Sequence, residues 1–204
     1  MLIAFEPDGT MLVCAWHWIP ESKKEQLDAL LQGQVANWIS DGWLETLPEG
    51  HEMPGRVGER CLELIEPVKD DVVAWGYDKW HADVAATKWR EAGWQDRVYI
   101  IAQGAGLNTP IKTAPVLAEN NLLAHPADPV FSYCVLCAEK RADTKDPDKL
   151  SLVKSDRPDG PDRSDGASAW MTAWQAKIAF DYYNSRQKPK ESWADVVPEV
   201  ISVR

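Results

Sequence analysis

At 204 residues, 45% hydrophobic and 26% charged, the chain has ordinary globular composition and enough apolar side chain for one sizeable core. No run approaches the roughly 20 apolar residues of a membrane span, and MLIAFEPDG lacks the basic flank of a secretory leader, so a soluble, cytoplasmic protein is expected. A net charge of −10 argues against a free-standing nucleic-acid binder, unless the acidic residues gather in a metal site or a basic partner does the holding.

In chain order, LIAF and TMLVCAWHWI flank EPDG, whose Pro-Asp-Gly is turn chemistry, so the spacing predicts an opening hairpin that Pro20 ends. Leu27, Leu30, Leu31, Val35, Trp38 and Ile39 recur at helical spacing, with a break between two short helices at Gly33. DGWLETLPEGHEMPG reads as an irregular connection. Arg56 to Glu66 is predicted helical, stopped by Pro67. A strand over Val72–Tyr77, a helix from His81 to Ala92 closed by Gly93, and a strand over Val98–Ala102 form a βαβ unit, which forces a parallel crossover.

The loop QGAGLNTP lacks the GxxxxGK[ST] of a phosphate-binding loop, and no such motif occurs elsewhere, which excludes ATP or GTP hydrolysis by this polypeptide. Thr109-Pro110 starts a helix reaching Leu123, with a kink expected at Pro115. Asp128-Pro129 gives the same start signal to a helix carrying Val130, Tyr133, Cys134 and Cys137. Cys134 and Cys137 form a CxxC with no second pair or HxxxH nearby to complete a zinc site, so buried helix thiols are expected. Residues 143–164 are polar and rich in proline and aspartate, a loop with at most a small hairpin. The longest helix follows, Asp165 to Arg186, with Ala169, Trp170, Ala173, Trp174 and Ile178 facing inward; 187–204 is a peripheral tail. The eleven tryptophans are read as core or interface anchors.

Two carboxylates occupy positions that packing alone does not explain. Asp78 ends a predicted central strand, where ligands bind in open α/β sheets, and Asp165 sits in the first turn of the last helix. Each also has a plainer explanation, as the cap of the helix it precedes or begins.

GYDKWHADVAATKWREAGW, QGAGLNTPIKTAPVLAENNLLAHPADPVFSYCVLCA and KSDRPDGPDRSDGASAWMTAW, in that order, resemble the C-terminal nuclease domain of the large terminase subunit of tailed bacteriophages, and WHWIPE and VANWISDGWLETLP agree. The resemblance covers most of the chain. It implies an α/β fold, a ribonuclease H-like mixed sheet flanked by helices, over residues 1–186. It also implies metal-dependent cleavage of concatemeric double-stranded DNA during genome packaging, in the cytoplasm of a bacterial host. By motif, Asp78 and Asp165 match acidic residues that hold two Mg²⁺ or Mn²⁺ ions, with no nucleotide. Carboxylates suit that task because hard cations take oxygen ligands. His81, Lys154 and Asp162 are auxiliary candidates, and His125 matches a histidine expected to be structural. The implied partners are a terminase ATPase domain, the small terminase subunit or the portal.

The chain departs from the family at its start. The strand that bears the family's first catalytic aspartate, central in the sheet beside that of Asp78, has no counterpart, and Glu6 and Asp8 in the hairpin turn do not replace it. A sheet lacking that usual first strand exposes two unpaired edges, which favours pairing with a second copy or another chain. Impaired nuclease activity is therefore expected for the chain alone. The alternative is a non-catalytic interaction module or prophage remnant docking on packaging partners.

Overall fold

A computed structural model describes residues 1–49, 53–154 and 164–187. The hairpin forms as expected: β1 (Leu2–Phe5) and β2 (Met11–Cys14) pair antiparallel, Leu2 opposite Cys14, around Gly9 at φ +90°. The second strand does not run on to Ile19. It stops at Cys14, and β3 (His17–Pro20) pairs in parallel with β4 (Leu44–Leu47), inside the segment expected to be irregular. Only four residues long and enclosed by turn residues, β4 has no room to show alternation, and tertiary burial of Leu44 and Leu47 makes it a strand. Between them, α1 (Lys24–Leu30) and α2 (Gln34–Ser40) break at Gly33, whose φ of +86° suits glycine.

The βαβ unit is present, with a shorter ladder than its apolar runs. After α3 (Met53–Ile65), β5 (Trp75–Tyr77) pairs in parallel with β6 (Val98–Ile100) across α4 (Lys79–Trp89). A single π turn, Arg90–Trp94, closes α4 at Gly93, φ +95°. Next come α5 (Asn108–Glu119), which carries Pro115 inside it, β7 (Leu123–Ala124), which joins β2 in parallel, and α6 (Pro129–Leu136). The small hairpin is larger than expected: β8 (Ala138–Ala142) and β9 (Leu150–Lys154) form five pairs, and its first strand starts before the polar loop. The last element is α7 (Asp165–Gln187); the predicted tail at 188–204 lies outside the described residues.

The described strands form four small sheets, in orders β1-β2-β7, β3-β4, β5-β6 and β8-β9. The first and third of these meet on α7, whose Trp170, Met171, Trp174 and Ala176 lie in one cluster with Met11, Val13, Ile101, Leu107, Ile111 and Phe131. A second cluster joins α1, α2 and β4 to Val130, and a third joins Tyr77 of β5 to Ala85, Ala86 and Trp89 of α4. Trp38, Trp89, Trp170 and Trp174 anchor these cores, with Trp75 stacked on Trp89 at 4.4 Å between centroids. Ala169, expected to face inward, is exposed.

The tightest contact is at Gly76. A Cβ there would lie 2.7 Å from the Thr172 carbonyl oxygen and 2.8 Å from the Ala176 Cβ, so only glycine lets β5 lie this close to α7. Gly76→Ala is expected to lower stability by about 1–3 kcal/mol in urea denaturation. Gly55→Ala, where the added carbon meets only Val84 Cγ1 at 3.7 Å, should be neutral or mildly stabilising. Equal denaturation midpoints for the two variants would contradict this account of the contact.

Candidate functional site

The close approach at Gly76 borders a cleft of about 840 Å³. Its walls are the consecutive residues Met1–Phe5 on one side and Asp71–Asp78 on the other, and its base is α7, through Ser168, Thr172 and Ala173. Both predicted carboxylates, Asp78 and Asp165, line it.

Strand and helix directions decide which end of the cleft each occupies. Tyr99 on β6 stacks on Tyr183 with centroids 6.0 Å apart, whereas Gln103, four residues further on, donates from Nε2 to Thr172 Oγ1 at 3.3 Å. Advancing along β6 therefore moves backward along α7. Because β5 is parallel to β6, Asp78 at its carboxyl end and Asp165 at the amino end of α7 share one end of the cleft.

The first turn of α7 shows that Asp165 is not the cap. Ser164 is buried and its carbonyl accepts the Ser168 N–H at 2.9 Å, which makes Ser164 the residue that opens the helix and leaves Asp165 exposed. Gly166, the next residue, presses onto α6: a Cβ there would lie 2.9 Å from Cys134 Cβ, 3.1 Å from its Sγ and 3.6 Å from His17 Cε1. His17 is held in turn by Asp128. Asp128, 1% exposed, caps α6 by accepting the Val130 and Phe131 N–H groups on Oδ1 at 2.8 and 2.9 Å, and its Oδ2 lies 2.9 Å from His17 Nε2. A carboxylate only accepts, so Nε2 carries the hydrogen. This chain of contacts, Asp128 to His17 to Gly166, fixes the position of Asp165.

Burial holds His17 below its ordinary pKa, with the Asp128 hydrogen bond and charge pulling the other way. Burial also pushes the Cys134 thiol up to about 11; the Gly166 backbone opposes the shift, and the charges of Asp165, Cys137 and Asp128 reinforce it. At neutral pH Cys134 is thus a protonated packing group under α7. Cys137 follows α6 as its C-cap.

Among the described residues no group of three or more His, Cys, Asp or Glu side chains is placed to hold a metal ion, so the site rests on the pair Asp78 and Asp165. Backbone places His81 in the first turn of α4 and Lys154 at the end of β9. Their side chains, and Asp162 entirely, lie outside the described residues. His125 packs edge-on against Phe131 at 5.5 Å. Sequence reasoning missed the supporting pair His17 and Asp128, and the neutral polar lining of Gln103, Ser168 and Thr172. The helix-start signal of Asp128-Pro129 was visible, but its burial against His17, 111 residues away, was not.

No family model and no curated protein matches this chain. Among solved structures, the large terminase of bacteriophage HK97 is similar, with a TM-score of 0.71 at 21% identity over 85% of this chain. The chain spans 35% of the length of that protein. The likeness establishes the fold: the ribonuclease H-like α/β architecture expected from the sequence.

The buried pair gives a stability signature. Because the folded pKa of His17 lies below its unfolded value, its contribution is complete above about pH 6.5 and is lost as pH falls toward the folded value, by at most about 1.4 kcal/mol per unit. His17→Gln should flatten that decline in denaturation curves between pH 7 and 5; an unchanged decline would exclude His17 as its source. Asp128→Ala should cost about 2–3 kcal/mol, and Asp128→Asn, which keeps the cap acceptor, clearly less.

Proposed function

We propose that this chain is a nuclease domain of the phage terminase type, whose Asp78 and Asp165 hold divalent cations for cleavage of double-stranded DNA during genome packaging. The observation that supports it most is the placement of the two carboxylates at one end of a single cleft, on a fold shared with a large terminase.

The donor set fits a hard cation. Two carboxylates with water completing the shell is a usual environment for Mg²⁺ or Mn²⁺, and Asp165 is not spent on capping α7. When bound, such an ion supplies Lewis acidity toward a phosphoryl oxygen and lowers the pKa of a water. The chain's own residues do the rest. Asp165 is exposed at the rim on a helix end clamped by Cys134 and His17, and Asp78 projects from the strand that Gly76 seats on α7. Gln103 and Thr172 offer neutral hydrogen-bonding groups in the same cleft, which do not repel a phosphate.

With a net charge of −10, the chain itself does not draw DNA in, so an ATPase domain, small subunit or portal is the proposed source of that affinity, in the host cytoplasm. No helix among the described residues is long and apolar enough to cross a membrane. A pair of carboxylates is a sparse site for two ions. Weak or absent cleavage by the isolated chain therefore accompanies the proposal, with a non-catalytic docking module as the second reading.

Calorimetric titration with Mn²⁺ tests the metal site directly. Binding by the native chain should weaken at least about tenfold in Asp78→Asn and in Asp165→Asn. Native-like binding in both variants, or none in the native chain, would sink the nuclease reading and leave the docking module. Robust Mn²⁺-dependent plasmid cutting that disappears in Asp78→Ala would instead overturn the expectation of weak activity.

A further inference from the structure

The amino end of α7 is held on two sides, and both holds lead back to one carboxylate. A Cβ at Gly166 would lie 2.9 Å from Cys134 Cβ on α6 and 3.6 Å from His17 Cε1 on β3, so the helix start rests between these two elements. Asp128 governs both. Its Oδ1 caps α6, the helix that carries Cys134, and its Oδ2 accepts the hydrogen of His17 Nε2 at 2.9 Å.

Capping alone does not call for this arrangement. A cap needs one acceptor and works at the surface, whereas Asp128 is 1% exposed and uses both oxygens. Taking a carboxylate out of water is costly unless its partners are well placed. The residue before it adds to that cost, because Ala127 stands at φ +57°, a left-handed conformation that a side chain with a Cβ disfavours. The turn is nevertheless fixed. The Ala127 N–H donates to the His125 carbonyl at 2.8 Å, and the His125 ring packs on Phe131. A buried carboxylate on a strained turn, with each oxygen given to a different element, therefore acts on the residue next to Asp165.

We propose, on the reading of Asp165 as a metal ligand, that Asp128 is a positioning residue for the cation site. Through Cys134 and His17 it holds the start of α7 so that Asp165 can share an ion with Asp78, and it touches neither ion nor substrate. Position matters there because a Mg²⁺–oxygen bond spans only about 2.1 Å, and a helix start that shifts by about half that length loses the bond. Removing groups that orient metal ligands typically lowers affinity about 10- to 100-fold.

Charge and position predict opposite outcomes for one variant. If Asp128 acted through its negative charge, Asp128→Asn and Asp128→Ala would weaken metal binding alike. Acting by position, Asn keeps the acceptor that caps α6 and offers Nδ2 to His17, whose imidazole takes the other tautomer and accepts. Asn preserves both holds, and Ala neither.

Calorimetric titration of the full chain with Mn²⁺ separates the two, at a temperature where denaturation curves show every variant folded. Leu27→Ala serves as the control, a truncation in the core of α1 and α2 that costs stability away from α7. Asp128→Ala and His17→Ala should each weaken binding at least about tenfold. Asp128→Asn and Leu27→Ala should stay within about threefold of the native chain. His17→Ala leaves the cap of α6 intact, so it carries the test if Asp128→Ala does not fold. Native-like binding in Asp128→Ala or in His17→Ala would overturn the proposal, and so would a loss in Asp128→Asn equal to that in Asp128→Ala, or an equal loss in Leu27→Ala. Weakened binding in Asp165→Asn beside native-like binding in Asp128→Ala would overturn only the positioning role, whereas no binding by the native chain would overturn the metal reading and the positioning role together.

Discussion

The arrangement depends on how closely β5 can approach α7. At Gly76 the strand backbone rests against the Thr172 carbonyl and the Ala176 methyl, and no side chain larger than hydrogen fits between them. That contact sets the height of β5 over the helix, and the parallel ladder carries β6 with it. Because the strands run opposite to α7, their carboxyl ends arrive where the helix begins. A second glycine contact, Gly166 against Cys134, fixes that beginning from the other side. Two acidic residues 87 positions apart in sequence are thereby brought to one end of one cleft.

Much of this was legible in the sequence because the signals were local. Pro-Asp-Gly marked the hairpin, Gly33 and Gly93 marked helix breaks that both require positive φ, and apolar runs around a helical stretch gave the parallel βαβ unit. Asp78 and Asp165 were singled out by their strand-end and helix-start positions and by resemblance, and both line the cleft. Local signals failed where tertiary burial decided the outcome. Leu44–Leu47 becomes a strand only because β3 lies alongside it, and the strand through Ile19 breaks at Ala15 and Trp16 to reach that partner. Nor could the sequence join Asp128 to His17, since a start signal for α6 looks the same whether its carboxylate faces solvent or a buried imidazole. Ala169 illustrates a subtler failure: Trp170 and Trp174 of the expected face are buried in the core, whereas Ala169 beside them lines the cleft.

The cleft gives the carboxylates two neighbours of different character. Its lining includes the acidic Asp78 and Asp165 and the neutral polar Gln103, Ser168 and Thr172. Along the rest of its length it is lined by β1, by β5 with the segment leading into it, and by apolar side chains of α3 and α7. On the proposed reading, a chain with a net charge of −10 needs metal at the acidic end or a basic partner to hold a polyanion.

The central claim is that Asp78 and Asp165 act as one cation site. Anomalous diffraction from crystals soaked in Mn²⁺ tests it most directly. The account predicts a manganese peak in contact with carboxylate oxygens of both residues, absent from crystals of Asp165→Asn. Strong manganese peaks elsewhere with none at this pair, or a peak at Asp78 that persists unchanged in Asp165→Asn, would contradict it.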